Sequence, residues 1–274
     1  MRLAIPSLGP LIELVEERGG KVSASEAAQR LFALQRTPAG VARSLLRPLV
    51  DEDARLEWRG SFVVLAERPT KSLEDADFVV FDLETTGLLA GSAQICEIGA
   101  IRIEALEPRD AFETLVSGTI PPPAARLSGL TDEALGGAPG IATALDRFCA
   151  FSGQAALVAH NARFDVGFVN RELERLGGGR LATAVIDTLP LARNLLRGRL
   201  ERMNLSSLAC FFGVSAEPCH RALPDAVATA EVFLHLVGLA REKGVSTVAG
   251  LEELGAAKNP GTPSPRRARL AGAR

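Results

Sequence analysis

Phe78-Val79-Val80-Phe81-Asp82-Leu83-Glu84-Thr85-Thr86-Gly87 is an apolar run that ends in two acids and a turn. Aromatic and β-branched residues suit a pleated, buried surface, so Phe78 to Leu83 reads as a buried strand. Asp82 and Glu84 lie two positions apart. Side chains alternate along a strand, so both carboxylates leave the same face and can share one metal ion. On the plainer reading, Asp-x-Glu is a surface pair. The apolar flanks argue against that, because acids at the end of a buried strand are costly unless paired or metal-bound. Thr85, Thr86 and Gly87 turn the chain and bring backbone amides near whatever the acids hold.

Around this strand the pattern alternates between sheet and helix. Ile95 to Ile103 and Ala111 to Val116 read as further strands. Pro121-Pro122-Pro123 blocks continuation of the sheet, since proline cannot donate to a ladder. Ala155 to Ala159 reads as a fourth strand, and Phe164 to Leu176 as a helix ended by Gly177-Gly178-Gly179. Ala184 to Ile186 is a fifth strand, with helices near 188–197, 204–212 and 224–242. The order βββαβαβα implies an α/β fold, a mixed five-stranded sheet flanked by helices.

Further chemistry-bearing residues fall at the carboxyl ends of strands, where open α/β sheets form their binding crevices. Asp165 opens the helix after Leu157-Val158-Ala159, preceded by His160 and Asn161. It is either an acid that favours the helix dipole or a third metal ligand. His160 and Asn161 either line a pocket or shape the turn. Phe164 either contacts a base or packs. His220 and Asp225 bracket Pro224 at the start of the last helix, and a histidine there can take a proton from a metal-bound water. His235 lies in an apolar helix and reads as packed or half-exposed.

The remaining chain bounds the function less sharply. Net charge is −2, which neither announces nor excludes a nucleic-acid binder. No apolar run reaches the ~18 residues of a spanning helix, and Met1-Arg2-Leu3-Ala4-Ile5-Pro6 lacks a secretory pattern. A cytoplasmic protein without a membrane partner is expected. Cys96, Cys149, Cys210 and Cys219 lack metal-finger spacing and read as buried free thiols in a reducing compartment.

Residues 1–68 read as a small separate α+β unit, three helices and a hairpin, with a winged-helix-like pattern. Arg36, Arg43 and Arg47 lie on or beside its third helix, where they meet either phosphates or solvent. Residues 69–76 read as a polar linker, and 243–274 as a basic, proline-containing disordered tail.

Three ordered segments, Phe81-Asp82-Leu83-Glu84-Thr85-Thr86-Gly87, His160-Asn161-Ala162-Arg163-Phe164-Asp165 and His220-Arg221-Ala222-Leu223-Pro224-Asp225, resemble the motifs of the DEDD superfamily of 3′–5′ exonucleases. Residues 77–242 are most similar to the proofreading (epsilon) subunit of bacterial DNA polymerase III. The resemblance implies a ribonuclease-H-like fold. It implies two Mg²⁺ or Mn²⁺ ions held by Asp82, Glu84, Asp165 and Asp225, with His220 as general base. A sister branch uses tyrosine in place of that histidine, and this chain has no tyrosine. Thr85, Thr86, Gly87, His160, Asn161 and Phe164 are the implied contacts to the terminal nucleotide. The implied substrate is a single-stranded or frayed 3′ end of DNA, in proofreading or repair, with a DNA polymerase as a candidate partner. The alternatives are an exoribonuclease that trims RNA ends, and a DNA-binding regulator with an inactive nuclease fold.

Overall fold

The computed structural model describes residues 9–51, 56–65, 71–215 and 220–256. They divide into two units, Met1–Pro69 and Thr70–Arg274. In the first, α1 (Gly9–Glu17), β1 (Lys21–Ser23), α2 (Ala24–Phe32), α3 (Ala39–Asp51), β2 (Leu56–Arg59) and β3 (Phe62–Leu65) follow in order. The strands form an antiparallel sheet of order β1-β3-β2. The helices and hairpin lie where apolar spacing puts them. The short strand β1 was not anticipated, because Lys21-Val22-Ser23 has too little pattern to read. Ser23 caps α2 by accepting from the Glu26 N–H. Leu11, Val15, Ala27, Ala28, Ala42, Leu46 and Val63 form the core.

Two of the arginines considered for phosphate contact are engaged within this unit. Arg43 donates to the Gly60 carbonyl at 2.6 Å and lies 4.3 Å over the Trp58 ring. Arg47 pairs with Asp51 at 3.0 Å.

The second unit carries β4 (Phe78–Thr85), β5 (Ile95–Glu104), β6 (Glu107–Leu115), α4 (Pro122–Ser128), α5 (Asp132–Gly136), α6 (Ile141–Ser152), β7 (Ala156–Ala159), α7 (Arg163–Arg175), β8 (Val185–Asp187), α8 (Thr188–Leu195), α9 (Leu205–Phe212), α10 (Ala222–Glu242) and α11 (Val248–Ala256). Its sheet has the order β6-β5-β4-β7-β8, so β4 is central. β4 runs antiparallel to β5 and parallel to β7, which is the mixed five-stranded sheet the sequence pattern implies. The three prolines act as expected. The sheet ends at Leu115 and Pro122 opens a helix, where its fixed φ and missing N–H are harmless.

The alternation of β4 decides where the acids go. Phe78 and Val80 face the core under α10, while Val79, Phe81 and Leu83 face the opposite core with α6 and α7. Asp82 and Glu84 continue the parity of Phe78 and Val80, so they emerge toward α10. Deep in that core the rings of Phe78 and Phe233 meet at 5.1 Å.

Gly99 lets α10 come this close. It pairs across the sheet with Asp82, and a Cβ there would lie 2.2 Å from the Ala222 carbonyl carbon and the Leu223 nitrogen. Backbone, not a movable side chain, occupies that space.

Two boundary readings need correction. The stretch 71–76 is not a free linker. Leu73 and Ala76 are buried in the α10 core, and the Leu73 N–H donates to the Ser246 carbonyl at 3.0 Å. The tail does not begin at 243. α11 packs on α8 and β8, with Leu251 fully buried. Too few apolar residues in Val248–Ala256 stand at a clear period to announce a packed helix. Residues 257–274 lie outside the described residues, as does Cys219.

Among the described residues, α10 is the one helix long and apolar enough to cross a membrane. Its apolar character fits its place here, since ten of its residues are buried, several against β4 and β5.

Gly99→Ala should destabilise the fold by about 1–3 kcal/mol through overpacking, seen as a Tm lowered by several degrees. Leu251→Ala should cost about 2–5 kcal/mol in chemical denaturation. An unchanged midpoint for the second variant would mean that α11 is not docked.

Candidate active site

Three elements converge where β4 ends. Asp82 and Glu84 come from the strand, Asp165 from the first turn of α7, and Asp225 from the first turn of α10. His220 precedes α10 and is exposed, with its backbone at φ 62°. Its N–H donates to Asp225 Oδ2 at 2.8 Å. Asp225 therefore has two jobs: it ties down the loop before its own helix, and it turns toward the other acids.

Glu84, His220 and Asp225 each place a potential ligand atom within 4.8 Å of those of the other two. Asp82 and Asp165 stand close enough to feel the same charges. Burial pushes the Asp82 carboxyl well above the usual range, and the charges of Asp165, Asp225 and Glu84 push it further. Burial, then Asp225 and Glu97, raise Glu84 to about 7, although Arg221 opposes this. Asp165 is 3% exposed. Burial raises it to about 8, against backbone hydrogen bonds at Asp165 itself and Leu83. Asp225 is raised chiefly by burial, and the hydrogen bond from the His220 backbone opposes this.

This electrostatic pattern is a test of fit for a cation. Four acids crowd together, each holding its proton more tightly than a free carboxyl would. A divalent ion would relieve both the repulsion and the desolvation. Hard carboxylate oxygens suit magnesium or manganese. The donor set fits the metal that the sequence resemblance implies.

The other residues singled out in the sequence are more varied. Thr85 donates its hydroxyl to the Gly87 carbonyl at 2.8 Å. The Thr86 hydroxyl accepts from the Gln94 N–H at 2.8 Å. Both therefore brace the turn after Glu84. Leu88 and Leu89, which follow it, are 84% and 71% exposed. His160 is tied to Thr188 at 2.9 Å and to the Met203 backbone. Burial lowers its pKa, and the charge of Asp187 opposes this. Asn161 sits at φ 64°, with its N–H on Asp187 Oδ1 at 3.0 Å. These two shape the turn into α7. Phe164 is half-buried and packs on Phe168 with ring centroids 4.9 Å apart.

Sequence reading passed over Glu97, Arg221 and Asp187. Glu97 is fully buried in Ile95-Cys96-Glu97-Ile98, directly opposite Glu84. The signal was available, because it is a lone acid inside an apolar strand, as Asp82 is. Asp187 accepts from the Asn161 and Leu189 N–H groups and adds to the charge felt by Asp165. The three described cysteines are free, and burial raises Cys96 to about 12.

A mixed sheet that brings four carboxylates and a histidine to one strand end defines a candidate metal-dependent hydrolase. Residues 79–233 match the family model RNase_T, described as Exonuclease, over more than half of the chain. The chain belongs to this exonuclease family. A DNA polymerase III of PolC type from Caldanaerobacter subterraneus subsp. tengcongensis is 39% identical over 66% of this chain but only 13% of its own length. The chain thus spans about an eighth of such relatives. Two solved structures share the fold. Exonuclease X in complex with 5′ overhanging duplex DNA has TM-score 0.52 and 24% identity, over 65% of this chain and 99% of its own. The zinc-bound E. coli ExoI–ssDNA complex has TM-score 0.52 and 17% identity, over 61% of this chain and 41% of its own.

An acid with a raised folded-state pKa binds more protons folded than unfolded, so stability falls as pH rises from the ordinary carboxylate range to that raised value. For Glu84 and Asp165 the window runs up to about 7 and about 8. Mn²⁺ or Mg²⁺ should therefore raise Tm over a chelated control, and by more at pH 8 than at pH 5.5. Asp82→Asn should raise the chelated Tm, because it removes one of the repelling charges. A metal effect equal at both pH values would contradict this account of the acids.

Proposed function

We propose that this chain is a metal-dependent 3′–5′ exonuclease that removes nucleoside 5′-monophosphates from the 3′ ends of DNA, in proofreading or repair. The observation that carries the reading is the joining of Asp82, Glu84, Asp165 and Asp225 with the exposed His220 at one end of β4. Family membership supports the nuclease class. The PolC-type relatives and the DNA in the complexes of Exonuclease X and ExoI favour DNA over RNA, and the relatives favour a polymerase context over a free-standing one.

Asp82, Glu84, Asp165 and Asp225 would hold Mg²⁺ or Mn²⁺, two ions in the full site. Such ions supply Lewis acidity, which lowers the pKa of water and offsets charge on the phosphoryl oxygens. The residues supply the rest. His220, exposed beside Glu84 and Asp225, takes the proton of the attacking water. The water oxygen bonds to phosphorus, the P–O3′ bond breaks, and the 3′ oxygen leaves with the shortened strand. The turn braced by Thr85 and Thr86 fixes the Gly87 backbone beside the terminal nucleotide. Burial of Asp165 keeps water from competing for its oxygens.

The first unit, with its helices and three-stranded sheet, fits a winged-helix-like module. Arg43 and Arg47 already have partners, so a role in packing or partner binding suits it better than phosphate contact.

The test is digestion of 5′-labelled 3′-overhang DNA and matched RNA with Mg²⁺, Mn²⁺ or chelator, beside Asp82→Ala and His220→Ala. A DNA ladder that shortens from the 3′ end, and falls to the chelated level in both variants, is expected. Faster cutting of RNA would reassign the substrate. No cutting under any metal would overturn the reading.

A further inference from the structure

Among the described residues, the motifs and the proposed chemistry leave one buried charged group unused. Glu97 is completely buried on β5, facing Glu84 across the strand pair. Its Oε1 accepts from Arg221 Nη2 at 2.7 Å and Nε at 3.0 Å. Its Oε2 accepts from Arg221 Nε at 3.1 Å and from the Ala222 N–H at 3.0 Å. Arg221 Nη2 also reaches Glu113 Oε1 on β6 at 3.5 Å.

The partners of Glu97 lie at a strategic point. Arg221 is the N-cap residue of α10 and its own side chain makes no capping bond. Ala222 is the first residue of the helix, where N–H groups have no intrahelical acceptor. The Glu97 carboxylate supplies that acceptor from a strand 125 residues away in sequence. Gly99, on the same face of β5, leaves room for the Ala222 backbone. Glu97 and Gly99 together form a seat for the start of α10.

That seat fixes the two residues that act. His220 immediately precedes Arg221, and its left-handed backbone needs its surroundings to hold it. Asp225 holds it from within the helix and Arg221 anchors the next residue to the sheet. Stability alone is a poor reason for this arrangement. A buried ion pair rarely outperforms apolar packing. Here the carboxylate also adds negative charge to a cluster that already repels itself, raising Asp82, Glu84 and Asp225.

We propose that Glu97 is a positioning residue: clamped on Arg221 and the Ala222 N–H, it sets the loop and helix start that deliver His220 and Asp225 against Glu84. This rests on the exonuclease reading above for its consequence in catalysis, but the positioning itself is a property of the fold. Arg221 is the other half of the device. Its planar fork matches the carboxylate at two points, which a lysine cannot do.

The experiment compares wild type, Glu97→Gln, Glu97→Asp, Arg221→Lys and the double variant Glu97→Gln/Arg221→Lys. Three quantities are measured: kcat and KM on a 5′-labelled single strand, Mn²⁺ affinity by electron paramagnetic resonance, and Tm. Glu97→Gln should lower kcat and Mn²⁺ affinity each on the order of 10–100-fold, as losses of supporting contacts around a metal site do. KM should move less than about threefold, since terminal-nucleotide contacts lie elsewhere. Arg221→Lys should do the same, and the double variant should lose no more than the worse single one, because both remove one clamp. Glu97→Asp should recover part of kcat.

A Glu97→Gln protein with lowered Tm but wild-type kcat and Mn²⁺ affinity would overturn the proposal and leave a merely structural ion pair. If Glu97→Gln does not fold, Arg221→Lys decides by the same readouts. If wild type cuts no strand at all, the exonuclease reading fails. The Mn²⁺ affinities then still decide positioning, with unchanged affinity in Glu97→Gln overturning it.

Discussion

Mutual repulsion among buried and half-buried carboxylates is the constraint on which this structure turns. Asp82, Glu84, Asp165 and Asp225 are drawn together from three separate elements, and each is held above its ordinary pKa. Without a counter-charge, that arrangement opposes folding at neutral pH. It persists because the surrounding architecture is strong. β4 is the centre of the sheet, with a core on each face. α10 then closes over the strand end, seated on Glu97 and Gly99. A cation would turn the most unfavourable part of the fold into its functional centre.

The same logic separates residues that join the acidic cluster from those that brace it. His220 is exposed and left free at its ring among the described hydrogen bonds, whereas His160 is buried and bridged to Thr188. Thr85 and Thr86 spend their hydroxyls on the turn. Asp187 holds the backbone of Asn161, and so sets the angle at which α7 presents Asp165. The acids at the end of β4 depend for their placement on neighbours outside their own cluster.

Much of this was legible in the sequence. The apolar run from Phe78 announced the strand, and the alternation of side chains along it put Asp82 and Glu84 on one face. Asp82, Glu84 and Asp165 fell at the carboxyl ends of strands, where such sheets open their crevices. What escaped was of three physical kinds. Lys21-Val22-Ser23 and Val248–Ala256 are too short or too weakly periodic, and tertiary contact makes them regular. Leu73 and Ala76 are isolated buried anchors in a polar stretch, invisible without the α10 core they join. Glu97 and Arg221 are 124 residues apart, and no local pattern announces their pairing. His160, which sequence left open between lining a pocket and shaping the turn, is bridged to Thr188.

The central claim is that the acids at the end of β4 form one cation site served by His220. Anomalous diffraction from crystals soaked with Mn²⁺ and a nucleoside 5′-monophosphate tests it most directly. The account predicts Mn²⁺ peaks bounded by Asp82, Glu84, Asp165 and Asp225, with the nucleotide phosphate against them and the His220 ring within reach of it. Mn²⁺ bound elsewhere, or no peak at saturating metal, would contradict it.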